Sequence, residues 1–248
     1  MAGIAVHPIE RAREVAEAFT AALAAAPDEV TAGMSWFVAP PGPPFPPAVA
    51  GRPVVVVSAT HAGPPTAAQR ALAPLRALGP VLDTFAPRSY LALQAEGDHH
   101  NRWGRRNYWK GLLLAALAPQ AVDEIGAVLA DAPGPDCGIG VLSLGGAFGR
   151  VPEDATAFSG RDATLWLLTE TVWDDPAEDP ARVAWGRRAM AALQPFATSV
   201  NYVNDLGQLD QSGVRAAYGP AKYDRLVALK RTWDPANVLR RNQNIRPE

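Results

Sequence analysis

Cysteine is almost missing from this chain: Cys137 is the only one in 248 residues, so no internal disulfide can form, and no Cys/His cluster offers a structural zinc site. A reducing compartment is the expectation. An excess of charge of one sign is missing too. The 23 Lys and Arg nearly balance the 25 Asp and Glu, for a formal net charge of −2, which gives no electrostatic reason to expect nucleic acid or an anionic membrane surface as a partner. No uninterrupted apolar run is long enough to span a bilayer, and Met1-Ala2-Gly3 reads as leading directly into a polar, charged helix, without a basic-then-apolar leader. The expectation is therefore a soluble, cytoplasmic protein.

Two functional patterns are also absent. No G-x-S-x-G elbow supports a cofactor-free α/β hydrolase. No glycine-rich strand-to-helix turn supports a phosphate loop; Gly145-Gly146, flanked by Leu142, Leu144, Ala147 and Phe148, lacks the spaced glycines and following helix of a dinucleotide fingerprint and reads as a strand end or bulge.

What remains is the alternation of one α/β or α+β unit large enough to bury a sizeable core. Val15, Ala18, Phe19, Ala22 and Leu23 mark the inner face of a first helix, closed by Pro27. Val30 to Val38 reads as a strand with Met34, Trp36 and Val38 on one face. A proline-rich loop spans Pro40 to Pro47. Val54 to Val57 suits a strand covered on both faces. Pro64 to Leu78 is helical, with Pro74 predicting an early end or a kink, and Val81 to Phe85 returns to the sheet. Leu112 to Leu117 and Val122, Ile125 and Leu129 are two apolar stripes, with Pro119 in the first turn of the second. Strands at Gly138 to Leu144 and Thr164 to Val172 follow, then a helix from Ala181 to Leu193 with Val183, Met190 and Leu193 inward. The pattern fits a parallel doubly wound sheet or an α+β layer about equally.

The densest run of distinctive residues closes the chain. Tyr223, Leu226, Val227, Lys230 and Trp233 recur at helical spacing, which predicts a stripe facing a core, with Lys222, Asp224 and Arg231 facing water. Asp234-Pro235 ends that helix. Asn242 and Asn244 follow, two residues apart; in an extended segment both amides share a side and can read a flat heterocycle with alternating donors and acceptors. The alternative is a solvated C-terminus.

Tyr218-Gly219, Tyr223, Leu226, Leu229-Lys230, Asp234-Pro235, Asn237 and Asn242-Gln243-Asn244-Ile245-Arg246-Pro247 resemble the C-terminal motif of the berberine-bridge-enzyme-like branch of the FAD-linked oxidases. Tyr202-Val203-Asn204 is similar to that family's Y-x-N element. Asp83 through Tyr90 to Gln94, Gly104 to Lys110, Leu144-Gly145-Gly146 and Thr156-Ala157-Phe158 with Arg161 resemble successive landmarks of its substrate domain. The resemblance implies an α+β fold, a large and mostly antiparallel sheet with helices on one face, whose open face forms the substrate cavity. It implies a substrate-binding domain over 1–197 and a C-terminal helical segment over 198–248 that packs toward a flavin domain. It implies FAD as the cofactor of the intact family, a FAD-binding domain or a separate FAD-binding chain as a candidate partner, and a small-molecule alcohol, sugar, amine or specialised metabolite as hydride donor. Tyr202, Asn204, Asn242 and Asn244 become the flavin or substrate contacts, and Tyr202 a catalytic candidate.

Glu170 is the second catalytic candidate. It is the only carboxylate in its apolar strand, where desolvation raises a carboxyl pKa enough for a base near neutrality. Pairing or solvation at the strand end is the competing reading, and a one-residue slip would swap the strand's faces. Asp98-His99-His100 reads as a polar loop, since adjacent extended side chains point apart. Arg105-Arg106 read as solvated charges or contacts for an anionic group, and Tyr108-Trp109-Lys110 as an aromatic-Lys strand of core and rim residues. A noncatalytic binding module or truncated gene product without flavin stands as the alternative function.

Overall fold

The structure, a computed structural model, describes residues 1–98, 102–207, 210–241 and 243–247. Its centre is a seven-stranded sheet in which every neighbouring pair is antiparallel. The strands are β1 (Ala2–Pro8), β2 (Val30–Val38), β3 (Pro53–His61), β4 (Leu82–Asp83), β5 (Arg106–Leu114), β6 (Cys137–Ser143) and β7 (Leu165–Trp173), in the order β4-β1-β3-β2-β6-β7-β5. The α+β reading holds and the doubly wound alternative falls.

Helices α1 (Ala12–Ala24), α2 (Pro65–Arg76), α4 (Pro119–Ala130) and α5 (Asp179–Leu193) cover one face. A short α3 (Tyr90–Ala95) precedes β5, and α6 (Gln211–Tyr218) and α7 (Pro220–Trp233) close the chain. The main core lies between sheet and helices: Val15 and Phe19 from α1, Leu72 from α2 and Ile125 from α4 meet Met34, Trp36, Val55, Val57, Ile139 and Leu167. Burying side chains of this size contributes about 1.5–3 kcal/mol each. Period-two alternation assigns the opposite side chains to the other face, where Val6, Val54 and Val56 are sealed by Ala39 and Val49, which flank the proline-rich loop, and Phe45 meets Phe37 edge-on at 5.8 Å. The Val54-to-Val57 run is thus covered on both faces, as its composition predicts.

Several expectations need correction. The N-terminus is a strand, β1, before it is a helix; its seven residues hold only one charged-capable side chain, His7, and pair with β3 along their whole length. The Leu112-to-Leu117 stripe is the inner end of β5 and the turn after it. Val81 to Phe85 contributes only a two-residue strand. The inner face of α5 carries Arg182, Trp185, Ala189 and Leu193 rather than a Val183 stripe; the Arg182 guanidinium is tolerated there because it bonds Glu178 and the Cys137 thiol. In α7 only Tyr223 is buried, while Trp233 stays 82% exposed and Lys222 is tucked against Glu153. A single residue, Gly219, separates α6 from α7: its φ of +78 ends α6 in a conformation only glycine adopts cheaply, and α7 starts at Pro220.

β5 is an edge strand, and the chain itself covers it. Ala197 bridges Leu114, the Thr198 N–H donates to the Leu113 carbonyl at 2.8 Å, Asn201 Nδ2 donates to the Gly111 carbonyl at 3.0 Å, and Lys110 reaches the Leu206 carbonyl. An edge satisfied in this way cannot template another strand.

Gly3 sits where a Cβ would lie 2.5 Å from the Phe85 backbone. Gly3→Ala is expected to cost about 1–3 kcal/mol, read as a lower urea midpoint with an unchanged m-value. His7 is fully buried, with Nε2 unpartnered and Nδ1 3.5 Å from Arg11. Burial first, and Arg11 second, lower its pKa below 6.5, with Glu14 opposing. Its neutral form is the native one, so its contribution is full above 6.5 and is lost as pH falls toward the lowered value. The melting temperature should drop on acidification from about pH 7.5 to about pH 5.5, and His7→Leu should flatten that drop.

Candidate functional site

The open face of β7 settles which way Glu170 points. Leu165, Leu167 and Thr169 are buried against the helices, so Trp166, Leu168 and Glu170 share the other face and are half-buried. Glycines stand opposite two of them, Gly138 opposite Glu170 and Gly140 and Gly111 opposite Leu168, while Trp166 lies between Leu142 and Leu113. Ser35 of β2 continues the row opposite Gly140. Four strands thus present a shallow floor of glycine and serine beside Trp166, Leu168 and the carboxylate of Glu170, with Trp109 opposite Glu170 at the edge. Glu170 makes contacts within the protein.

The segment that covers β5 brings Tyr202 to this floor. Its ring meets Trp166 edge-on at 6.1 Å and Phe158 at 5.6 Å, and Phe158 in turn meets Phe148 at 5.0 Å. Asn204 Nδ2 donates to the Tyr202 phenolic oxygen at 2.6 Å, so the two halves of the Tyr202-Val203-Asn204 element act as one unit and the phenolic O–H remains free to donate outward. Trp166 and Glu170 are four residues apart on β7, about 13 Å along an extended strand. Tyr202 thus meets the floor at Trp166, and Glu170 lies farther along the same face of β7.

Asp205 escaped the sequence reading. It follows Asn204 directly, and its only sequence signal was a carboxylate immediately after a Tyr-x-Asn element. Its Oδ2 accepts from Trp166 Nε1 at 2.6 Å, next to Gly111, where a Cβ would lie 2.8 Å from the same indole nitrogen. Burial raises the Asp205 pKa above 3.8, opposed by the Trp166 hydrogen bond and by Lys110. Burial also lowers the Lys110 pKa, with Arg187 adding to the effect. Both members of this neighbouring acid and base thus move toward neutrality: desolvation outweighs their mutual attraction.

Asn244 is anchored from behind. Its carbonyl accepts from Gln211 Nε2 at 3.0 Å, and Tyr223 OH donates to Gln211 Oε1 at 3.0 Å. Gln243 reaches the Gly207 carbonyl, tying the tail to the turn that carries Tyr202. The Asn244 Oδ1 is buried without a partner. An orphaned amide acceptor of this kind fits a ligand offering an N–H, as the edge of a flavin does. Asn242, the other amide of the pair, lies outside the described residues, as do His99 and His100.

The remaining candidates resolve into structure. Arg105 pairs with Asp136 at 3.0 Å and Asp174 at 3.2 Å, and Arg106 with Asp179 at 2.5 Å. Gly145-Gly146 lies in the loop after β6, with Gly146 at φ +63. Among the described residues no three His, Cys, Asp or Glu side chains gather as a metal site, and no helix is long and apolar enough to cross a membrane.

The comparisons with known proteins bear on the fold and the family. The family model described as berberine and berberine like matches residues 200–246. An uncharacterized FAD-linked oxidoreductase of Bacillus subtilis, YgaK, is 35% identical over 131 residues, covering 53% of this chain and 29% of that protein. The (R)-6-hydroxynicotine oxidase of Paenarthrobacter nicotinovorans is 31% identical over 208 residues, covering 79% of this chain and 44% of that protein. The crystal structure of the 6-hydroxy-D-nicotine oxidase of Arthrobacter nicotinovorans superposes on the whole chain with a TM-score of 0.79 at 25% identity, and the chain covers 55% of it. The chain thus spans less than half the length of the two curated relatives and about half of the solved structure.

Asp205 gives a test of the electrostatics. Its folded pKa exceeds 3.8, so the native state holds the proton longer than the unfolded chain, and stability falls as pH rises from 3.8 through the raised value. Asp205→Asn keeps an acceptor for Trp166 and cannot ionise. The variant should gain stability relative to wild type between about pH 4 and about pH 7, read as diverging denaturation midpoints; parallel profiles would show that the carboxylate is not desolvated.

Proposed function

We propose that this chain, a berberine-bridge-enzyme-like relative of the FAD-linked oxidases, supplies the substrate-binding portion of a flavin-dependent oxidoreductase. In this reading residues 1–197 form the substrate domain, and residues 198–248 turn from it toward a flavin domain in the same polypeptide or a separate one. The observation that carries the reading is the convergence of the Tyr202–Asn204 unit and the anchored Asn244, with its orphaned buried Oδ1, beside an open sheet face that bears Glu170.

FAD, when bound, supplies the hydride acceptor. The residues of this chain do the rest. Asn204 and Asn244, with Asn242 from the sequence motif, hold the flavin edge through amide donors and acceptors. The glycine-serine floor takes the body of a small molecule, such as an alcohol, sugar, amine or specialised metabolite. Removing hydride from a carbon that bears an O–H or N–H requires a group that accepts or steers the heteroatom proton. Tyr202, fixed by Asn204, is placed to hold that heteroatom, and Glu170 is the carboxylate available on the same face. Enclosure by a flavin domain would dry the floor and strengthen both interactions.

The alternative, a self-sufficient binding module, is disfavoured by the C-terminal surface. Leu229, Trp233, Val238 and Leu239 are all exposed, and such contiguous apolar side chains mark a surface that another body covers.

The test is to purify the chain, supply FAD and desalt. The expected result is flavin absorbance well below one equivalent for the chain alone, and retained flavin, reducible by substrate, once an FAD domain is supplied. In that assembly Tyr202→Phe should slow flavin reduction about 100-fold while leaving flavin retention unchanged. Stoichiometric FAD on the isolated chain would contradict the proposed division of labour.

A further inference from the structure

A cavity of about 490 Å³ opens at one end of the sheet, beneath the last turn of α1, the turn between β5 and α4 and the loop that leaves β6. It lies on the helical side, where Leu117 and Leu165 join the main core, whereas Glu170 and Trp166 belong to the opposite face. We propose that this cavity is a second small-molecule site, suited to a neutral, flat, hydroxyl-bearing aromatic ligand.

Size, polarity and rigidity each point there. The volume falls in the range of small-molecule sites, about 300–1,000 Å³. Leu23, Leu117 and Phe148 supply apolar walls. The polar groups are hydroxyls with complementary free valences: Thr20 Oγ1 spends its hydrogen on the Ala16 carbonyl and keeps lone pairs, while Ser143 Oγ accepts from the Ala32 N–H and keeps a hydrogen to donate. A ligand hydroxyl can donate to the first and accept from the second. The only ionisable lining residue is Asp28, and Arg150 already neutralises it with two hydrogen bonds. A charged ligand would find no counter-ion there and would lose its hydration.

The site is also preformed. The Arg161 guanidinium lies 4.7 Å over the Phe148 ring and donates to the Phe148 carbonyl at 3.2 Å, fixing that wall, and the Asp28–Arg150 pair fastens the loop to the start of β2. Phe148 is the first ring of the stack that continues through Phe158 to Tyr202. An occupant therefore sits two ring contacts from the open-face site without entering it. This inference does not rest on the flavin reading.

The experiment is a titration of the ¹⁵N-labelled full chain with 2-naphthol, with naphthalene-2-sulfonate as the charged comparison, read by amide chemical shifts. The expected result is saturable shifts at Thr31, Ser143, Gly145 and Gly146, at least about tenfold weaker for the sulfonate. Ala24→Trp, an exposed helix position at the cavity wall, should abolish them while its free spectrum stays dispersed. Thr20→Val, which removes one hydroxyl and keeps the shape, should weaken naphthol binding several-fold. Shifts confined to open-face residues such as Gly140 and Leu168, equal affinity for the sulfonate, binding that survives Ala24→Trp, or no saturation would each overturn the proposal.

Discussion

The hydrogen bonds along the outer side of β5 are the constraint on which the rest depends. A seven-stranded antiparallel sheet must end somewhere, and one end is short: β4 has two residues. The other end is a nine-residue strand whose outward carbonyls would otherwise face water or another chain. Covering those carbonyls with 197–207 solves the edge problem and, by the same contacts, sets Tyr202, Asn204 and Asp205 beside Trp166. Stability of the edge and placement of the candidate site are one structural fact, so side chains such as Asn201 and Lys110 serve both at once.

The two faces of the sheet show how unequal demands on one strand are met. In β7 the inward series Leu165, Leu167 and Thr169 pays the cost of chain ordering through burial. The outward series Trp166, Leu168 and Glu170 is held by fewer neighbours, opposite glycines. Glycine contributes nothing to packing in a strand and weakens it. Its recurrence at Gly138 and Gly140 leaves the floor open there, while Gly111 makes room for the Asp205 carboxylate and the Trp166 indole.

Much of this was legible in the sequence, for reasons visible in particular residues. Val54 to Val57 announced a doubly covered strand because four consecutive β-branched side chains have no polar face to show. Met34 and Trp36 fixed the face of β2 through period two, and Pro119 stands in the first turn of its helix, where a missing N–H costs nothing. Other features were not legible. β1 was misread because an Ala-Gly-rich stretch carries little pattern of its own; its strand state comes from its pairing with β3, which is distant in sequence. The inward face of α5 was read in part, with Leu193 buried and Met190 packed on the core as expected; Arg182 was missed because it is buried only by virtue of Glu178 and Cys137, a tertiary arrangement no local pattern encodes. Asp205 was missed for the same reason: its desolvation depends on Trp166 and Gly111, distant in sequence. The Trp233 stripe was misjudged because helical spacing reveals an apolar side without saying what covers it.

The edge contact also has a consequence in time. During synthesis the partner strand β7 follows β5 from the ribosome by about fifty residues, and residues 197–207 come later still. For that interval the nascent chain displays an unpaired nine-residue strand rich in leucine at one end, the kind of surface that recruits chaperones or pairs with another nascent copy. Translation speed between Leu114 and Leu206 thus becomes a determinant of yield, and slow codons placed there would lengthen the vulnerable window in a way that no measurement on the finished fold would reveal.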